Sequence, residues 1–341
     1  MSDVLTTAVV GSYPQPSWLV DKTRYRANVV PRIRMPELWR VAADALEEAQ
    51  DDAVRLAVRD MEMAGVDVIT DGEQRRESYF NQFATGLAGV DLERPGTALS
   101  RLGKPTPVPR IVGPIERERA VFVRDARFLR SLTSQPIKVA LPGPFTLAQL
   151  AQDEYYGDDA KLAMAYAEAV NAELRELEPL VDVLQLDEPY VEPRADRARH
   201  YGLAVIDRAL AGIAKPTCIH VCMGYAYSHA LAGTKKSGGY AFATELARSA
   251  ATQVSLEAAE PRLDVASLAP LAASKTVVLG VLDLGEARVE TAEEVAGRIR
   301  QALRHVPRER LVAAPDCGMK YLGRATALAK LRALVEGARR V

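Results

Sequence analysis

The sequence has few cysteines, almost no net charge and no long apolar segment, and each shortage excludes a class of protein. Its three cysteines, an odd number, do not make a disulfide framework, so we predict a reduced, cytoplasmic protein. The 44 basic and 45 acidic residues leave a formal charge of −1, which gives no electrostatic reason to expect nucleic acid or an anionic membrane as a partner. A small molecule is the expected partner.

Two further absences concern the start of the chain and its apolar segments. Residues 1–4 lack the basic start and the apolar stretch of a signal peptide. No apolar run reaches the roughly 18 residues that a membrane-spanning helix needs. Both absences predict a protein that stays in the cytoplasm, away from the membrane.

The sequence does contain a series of short, nearly continuous apolar segments separated by helical ones. With 48% apolar residues over 341 positions, the chain can bury a large core. The apolar segments are residues 7–12, 66–73, 137–143, 183–187, 217–222, 253–257, 276–283 and 311–317. Parallel strands buried on both faces have this composition, and eight of them predict an α/β protein with a (β/α)8 TIM barrel. We expect residues 1–341 to form a single catalytic domain of this class.

Helical periodicity fills the gaps between the apolar segments, with one exception. Apolar residues recur at spacings of three and four over 36–63, 158–180, 291–303 and 324–338. Pro36 suits the first turn of the first helix, and Gly65 suits its C-terminal cap. Residues from about 85 to 117 are rich in proline and glycine, which predicts a hairpin or loop insertion after the second strand.

Polar residues close most of the predicted strands, and a barrel enzyme builds its site at that rim. His220 and Cys222 are two residues apart, so they point to the same face of a strand and can share an ion. Glu257 and Cys317 end two later strands and complete a mixed set of N, S and O donors, which suits zinc. Cysteine is also a common core residue, and Cys218, deeper in its strand, fits that role.

Six segments of the sequence form an ordered set. They are residues 6–14, 71–73 (Asp-Gly-Glu), 185–189 (Gln-Leu-Asp-Glu-Pro), 220–222 (His-Val-Cys), 255–257 (Ser-Leu-Glu) and 315–320 (Pro-Asp-Cys-Gly-Met-Lys). In this order they resemble the motifs of the C-terminal catalytic barrel of cobalamin-independent methionine synthases. The resemblance runs nearly end to end and lacks the N-terminal half of the long family members, which implies a short, core form.

The resemblance also implies roles for individual residues. The implied zinc ligands are His220, Cys222, Glu257 and Cys317. The backbone at Gly11 and Ser12, together with Glu73 and Asp187, is implied to bind the amino acid part of homocysteine. Two carboxylates near an ammonium make physical sense, because each favours the charged amine. Glu73 and Asp187 are therefore the predicted catalytic and substrate-binding carboxylates.

The expected reaction is zinc-dependent transfer of a methyl group to homocysteine, which forms methionine. A free thiol, with a pKa near 8.5, is mostly protonated at neutral pH, and its thiolate is the nucleophile. Zinc can deprotonate an incoming thiol, so we expect attack by a zinc-bound thiolate without a covalent enzyme intermediate. Glu257 is the ligand expected to leave when the substrate thiol arrives.

Two departures from the family pattern concern the methyl donor. Leu150 stands where folate-using members carry a tryptophan that stacks on the folate, and the segment Asp283-Leu284-Gly285 lacks their histidine. Loss of a general acid matters for a folate donor, because a methylated tertiary amine leaves poorly unless it is protonated. Methylcobalamin or a corrinoid protein is therefore the preferred donor, with methyltetrahydrofolate as the alternative.

Three alternative interpretations stay open. An epoxyalkane:coenzyme M transferase would use the same metal-bound thiol, and the candidate partners for its sulfonate are Arg75, Arg76, Lys235 and Lys236. A decarboxylase that resembles uroporphyrinogen decarboxylase would use a related barrel, but it leaves the histidine and cysteines unexplained. A zinc-stabilised binding protein would close its site with four protein ligands. The glycine-rich segment 233–240, which carries Lys235 and Lys236, is either a lid or an exposed loop.

Overall fold

The core of the protein is a curved parallel sheet, seen in a computed structural model that describes residues 4–27, 30–101, 103–236 and 238–341. Its six long strands are, in sheet order, Lys138–Pro142, Val183–Asp187, Thr217–Val221, Gln253–Leu256, Thr276–Leu282 and Leu311–Pro315. Nearly all of their side chains are buried. Apolar strands of this kind are expected where helices cover the outside of the sheet and side chains fill its inside.

Two further segments close the sheet into a ring. Residues 7–8 and 68–69 make isolated parallel bridges that connect the last strand to the first. The linking hydrogen bonds run from Ala8 N to the Ala313 carbonyl (2.9 Å), from Val68 N to the Thr7 carbonyl (3.0 Å) and from Lys138 N to the Ile69 carbonyl (2.8 Å). The eight parallel segments confirm the predicted (β/α)8 barrel.

The first two predicted strands are shorter in the structure than in the sequence analysis. Residues 7–12 and 66–73 do not form a continuous backbone ladder. Hydrogen bonds between side chains of one segment and the backbone of the other replace part of it. The Asp67 carboxylate accepts from both the backbone N–H and the hydroxyl of Thr7, each at 2.7 Å. Further along, the Thr70 hydroxyl donates to the Gly11 carbonyl at 2.7 Å. Polar side chains that bond the backbone compete with regular pairing in this way.

Helices surround the barrel on its outer face. They are Lys22–Ala27, Leu46–Ala64, Asn81–Ala84, Val123–Leu132, Pro144–Gln149, Asp159–Leu177, Ala195–Arg197, Leu203–Leu210, Ala226–Leu231, Ala243–Leu246, Ala269–Ala272, Ala292–Ala302 and Arg324–Arg339. Short 3-10 turns at Pro36–Leu38, Glu178–Leu180, Val265–Leu268 and Arg308–Arg310 and a π-helical turn at Ala198–Gly202 complete the helical elements. No helix within the described residues combines the length and apolar character needed to cross a bilayer.

The helix boundaries follow the sequence signals with one exception. Asp158 caps the helix Asp159–Leu177, and Thr291 caps Ala292–Ala302 through a capping box. The predicted helix over 36–63 is instead a 3-10 turn followed by Leu46–Ala64. The interval starts with an antiparallel bridge between Trp39 and Val20, next to which Arg40 N donates to the Leu19 carbonyl at 2.9 Å, and it ends in a turn at residues 43–45. Long-range pairing here outweighs the local helical pattern.

The predicted insertion at 85–117 is an antiparallel hairpin of Ala88–Leu99 and Pro105–Glu116, joined at its edge by Gln152–Asp153. Its tip reaches the mouth of the barrel. The Arg101 guanidinium donates to the Cys222 carbonyl at 2.5 Å, and Arg194 donates to the Leu99 carbonyl at 3.0 Å. The hairpin therefore forms part of the wall around the rim where the strands end.

Gly65 offers a test of the local backbone argument. It ends the helix Leu46–Ala64 with a φ of 81°, a left-handed conformation that side chains disfavour. Gly65→Ala is expected to lower the free energy of unfolding by about 1 kcal/mol. Gly297→Ala is the matched control, because an added Cβ there meets nothing within 4 Å inside the helix Ala292–Ala302.

In urea unfolding, Gly297→Ala should leave stability unchanged or raise it by up to about 1 kcal/mol through helix propensity. Equal destabilisation by both substitutions would contradict the assigned role of the Gly65 backbone.

Candidate metal centre and substrate pocket

Three of the four predicted metal ligands lie together at the rim of the barrel. The ligand atoms of His220, Cys222 and Cys317 all fall within 4.8 Å of one another, and each residue is buried. His220 is the penultimate residue of the strand Thr217–Val221 and lies beside Ser255, whose hydroxyl is 2.9 Å from the histidine Nδ1. Among the described residues, the buried Nε2 of His220 has no hydrogen-bond partner. A fixed Nδ1 and an unpaired Nε2 are what a metal-binding histidine requires.

The two cysteines form a close pair of thiols. Their Sγ atoms are 3.3 Å apart, and the Gly224 N–H donates to the Cys222 Sγ at 3.0 Å. The hydrogen bond from Cys317 lowers the pKa of Cys222 well below its ordinary value, and the same bond raises the pKa of Cys317. Two sulfurs in hydrogen-bond contact next to an unpaired imidazole nitrogen fit the N and S donor preference of zinc.

Glu257, the fourth predicted ligand, is held apart from the other three. Its Oε1 accepts from the Met223 N–H at 2.8 Å, and its Oε2 accepts from Lys236 Nζ at 2.5 Å. It groups within 4.8 Å with Glu260 and Asp316 and not with the histidine and cysteines. The structure therefore places Glu257 next to the centre in a conformation directed to Lys236.

Glu73 lies against the first strand segment, as the substrate-site prediction requires. It has a left-handed backbone with a φ of 54°, and its Oε2 is buried without a hydrogen-bond partner among the described residues. A Cβ on Gly11 would lie 2.8 Å from the Glu73 Oε1, so only glycine permits this approach. The buried Ser12 hydroxyl likewise has no partner in the described part of the chain. These unpaired groups offer contacts to a polar ligand.

Asp187 comes from the strand next to His220, where the two Cα atoms are partners in the parallel register. Its Oδ1 accepts from the Gln185 side-chain amide at 2.8 Å. Burial raises the pKa of Asp187, opposed by the charge of His220. Burial likewise raises the pKa of Glu73 to about 7, opposed by the charges of Lys320 and Arg76.

One cavity of about 330 Å³ brings these groups together. Its lining includes the predicted residues Gly11, Ser12, Glu73, Asp187, His220, Cys222 and Cys317. Glu257 is outside this lining. The thiol pair and the two carboxylates thus face the same space, which is large enough for a small molecule.

Sequence reasoning missed several residues of the cavity wall. Three tyrosines line it, Tyr79, Tyr190 and Tyr225, and three basic residues join them, Arg32, Arg101 and Lys104. The Arg32 guanidinium donates to the Tyr79 hydroxyl at 3.1 Å. These residues follow strands or lie in the hairpin, where no local periodicity marks them. Only Tyr225 carried a usable signal, because it directly follows the metal-binding strand and Gly224.

The basic residues singled out from the sequence are occupied elsewhere. Arg75 pairs with Asp51 and lies 3.4 Å from an Asp125 oxygen, while Arg76 donates to the Ala140 carbonyl at 2.7 Å. Lys235 is exposed, whereas Lys236 is buried on Glu257. Lys236 is paired with Glu257 and lies outside the cavity lining, because a buried ammonium takes the nearest carboxylate, and a contact between this lysine and an anionic substrate stays a prediction.

Comparisons with known proteins identify a family that this chain resembles over nearly its whole length. Residues 5–340 match the sequence model of a family described as cobalamin-independent synthase, catalytic domain. A methionine synthase of Saccharolobus solfataricus is 31% identical over 346 aligned residues, which cover 98% of this chain and 94% of that protein. One from Sulfurisphaera tokodaii is 30% identical over 341 aligned residues, covering 98% and 91%. The structure of a B12-independent methionine synthase from Shewanella sp. W3-18-1, in complex with selenomethionine, is 34% identical with a TM-score of 0.88 and coverage of 98% and 97%.

The family description bears directly on the methyl donor. It is cobalamin-independent, which contradicts the expected methylcobalamin or corrinoid protein. The two sequence signals behind that expectation lie outside the cavity lining. Leu150 is fully buried next to the helix Pro144–Gln149, and Asp283 accepts from the Gly285 N–H at 2.8 Å beside a separate surface cavity. Neither position reports on the groups that surround the thiol pair.

The metal centre is tested by removing one thiol at a time. Cys222→Ser and Cys317→Ser are each expected to reduce bound zinc from about one ion per chain to near none, because a hydroxyl is a poor substitute for thiolate. Cys218→Ala is the matched control. Cys218 lies in a separate apolar cluster with Val10 and Val183 and should leave zinc binding intact.

Metal content by atomic absorption, with circular dichroism to check the fold, gives the result. Full zinc retention in both serine variants would remove these cysteines from the ligand set.

Proposed function

The chain belongs to the cobalamin-independent methionine synthase family, and from this premise we propose that it is a zinc-dependent methyltransferase that converts homocysteine to methionine. One observation carries the proposal: the His220, Cys222 and Cys317 group opens into the same cavity as Glu73 and Asp187. A metal-binding end and an anionic end in one space match a substrate with a thiol at one end and an ammonium at the other.

Zinc, when bound, would stabilise the thiolate form of a substrate sulfur and keep it nucleophilic at neutral pH. His220, Cys222 and Cys317 would hold the ion, and Ser255 keeps the His220 ring in the required orientation. Because both cysteines are thiolates in such a site, they add negative charge that leaves the substrate sulfur reactive. Glu257 is the proposed fourth ligand in the absence of substrate. It is buried nearby and accepts a hydrogen bond from the backbone N–H of Met223, the residue that follows Cys222.

Recognition of the amino acid end is assigned to Glu73, Asp187 and the backbone around Ser12. The unpaired carboxylate oxygen of Glu73 and the unpaired Ser12 hydroxyl supply contacts that the protein itself leaves unused. The related Shewanella protein was crystallised with selenomethionine, which has the same amino acid head group as methionine. This supports an amino acid as a ligand of this protein.

For the methyl donor we propose a methyltetrahydrofolate-type compound, in line with the family description. Tyr79, Tyr190 and Tyr225 give the cavity aromatic faces on which a flat heterocycle can stack. Arg32 and Arg101 are placed to pair with carboxylates. A folate leaving group needs a proton, and His229 of the cavity wall is the proposed donor. Its Nε2 lies 2.9 Å from the Met223 carbonyl and its Nδ1 lies 2.9 Å from the Thr234 hydroxyl, so it would exchange one of these partners to deliver the proton.

The activity is tested with zinc-loaded protein, homocysteine and methyl-labelled methyltetrahydrofolate, using mass spectrometry to detect labelled methionine. Methionine formation is the expected result, and coenzyme M in place of homocysteine should give little product. Labelling of coenzyme M alone would contradict homocysteine as the substrate and favour a coenzyme M methyltransferase, and opening of an epoxide by coenzyme M would favour the epoxide class. His229→Gln should slow transfer without changing homocysteine affinity, and an unchanged rate would remove His229 from the reaction.

Glu73 predicts a pH dependence for binding. Its pKa is raised to about 7 by burial, so below that pH the carboxyl is neutral and loses its attraction for an ammonium. The affinity for methionine, which has no thiol to titrate, should therefore fall by up to about tenfold per pH unit below about 7 and level off above it. Calorimetric titration should show this slope in the wild type and a flat profile in Glu73→Gln. The same slope in both proteins would assign it to another group.

A further inference from the structure

Lys236 is a buried ammonium next to the metal centre, and neither the family motifs nor the proposed reaction uses it. Its side chain is fully buried, with Nζ 2.5 Å from a Glu257 oxygen and 3.0 Å from a Glu260 oxygen. The adjacent Lys235 is exposed. Burying an ammonium is unfavourable unless it is well paired, and the two glutamates provide that pairing.

The loop that carries Lys236 holds Glu257 at three points. Besides the Lys236 contact, the Glu257 N–H donates to the Tyr240 hydroxyl at 2.8 Å, and that hydroxyl donates to the Glu257 carbonyl at 3.2 Å. The other carboxylate oxygen of Glu257 accepts from the Met223 N–H. Both carboxylate oxygens are therefore satisfied while Glu257 is directed away from His220 and the cysteines.

Among the described residues, Lys236 is the only basic side chain in a salt bridge with Glu257. Asp316 is the other buried acid of the group, and its two oxygens accept from the backbone N–H groups of residues 258, 259 and 260. If Lys236 were absent, a Glu257 carboxylate released from a metal would stay buried beside the negative charge of the cysteines. Glu260, by contrast, keeps Lys236 paired whichever way Glu257 points.

We propose that Lys236 is a positioning residue that competes with the metal for the Glu257 carboxylate and receives that carboxylate when a substrate thiol takes its place. The inference rests on the proposed function, because it assumes that Glu257 binds zinc before the thiol arrives. The sequence offered the segment 233–240 as a substrate contact or a lid. In the proposal, Lys236 of the segment instead binds the Glu257 carboxylate whenever zinc does not.

Removal of Lys236 should therefore change the affinity for zinc and the affinity for the thiol in opposite directions. Without Lys236, Glu257 loses its charged partner and keeps only the Met223 N–H contact to its side chain among the described residues, so zinc should bind more tightly to the thiol-free protein. The same change should weaken thiol binding to the zinc-loaded protein, because the displaced carboxylate would be buried without a counter-charge. A lysine that only anchors its loop would not produce this pair of opposite changes.

The test compares Lys236→Met with Lys235→Met, which removes the same charge from an exposed position. Chelator competition measures the zinc dissociation constant, and calorimetry measures homocysteine binding to the zinc-loaded protein. For Lys236→Met we expect the zinc dissociation constant to fall and the homocysteine dissociation constant to rise, each by about tenfold, the equivalent of about 1.4 kcal/mol. Lys235→Met should match the wild type in both measurements.

Unchanged or weaker zinc binding in Lys236→Met, with normal zinc binding in Lys235→Met, would overturn the proposal. If Lys236→Met does not fold, Lys236→Gln keeps a hydrogen-bond donor in the loop and should show the same two signs at smaller amplitude. The zinc measurement needs no substrate, so a failure of the wild type to bind homocysteine would count against the proposed function and leave this result to be judged separately.

Discussion

The register between neighbouring parallel strands is the constraint on which the site depends. It aligns Asp187 with His220 and His220 with Ser255 across three adjacent strands. Because all the strands point the same way, their last residues arrive at one rim, and Cys317 joins from the final strand of the ring. A one-residue slip would turn His220 and Cys222 to the opposite face and dissolve the group.

Within that frame the site is built from charges kept out of water. Glu73, Asp187, Glu257 and Lys236 are all buried. Glu257 and Lys236 pair with each other, Asp187 accepts from the Gln185 amide, and the Glu73 Oε2 has no partner among the described residues. Burial raises the pKa of Glu73 and of Asp187, so the binding of an ammonium group by these carboxylates depends on pH. Buried charges of this kind destabilise the free protein, and a substrate of opposite charge stabilises them when it binds.

The barrel and most of the candidate site can be predicted from the sequence, because the strands are short apolar segments and the site residues lie at or just after their ends. His220 and Cys222 share one strand, and Cys317 and Glu257 directly follow others, so strand alternation and rim convergence were enough to propose them. Contacts between distant segments left no such mark. The Arg101 bond to Cys222 joins residues 121 positions apart, and the Lys236 contact with Glu257 depends on how a glycine-rich loop folds. The methyl donor was misjudged because Leu150 and Asp283 lie outside the cavity that the fold creates.

The central claim is that the metal centre accepts the substrate thiol directly. Zinc-edge X-ray absorption on the zinc-loaded protein measures it, first without and then with homocysteine. The account predicts two sulfur neighbours, from Cys222 and Cys317, before the addition, and three afterwards, with the loss of one oxygen neighbour. A sulfur count that stays at two with saturating homocysteine would contradict the account and make the zinc structural.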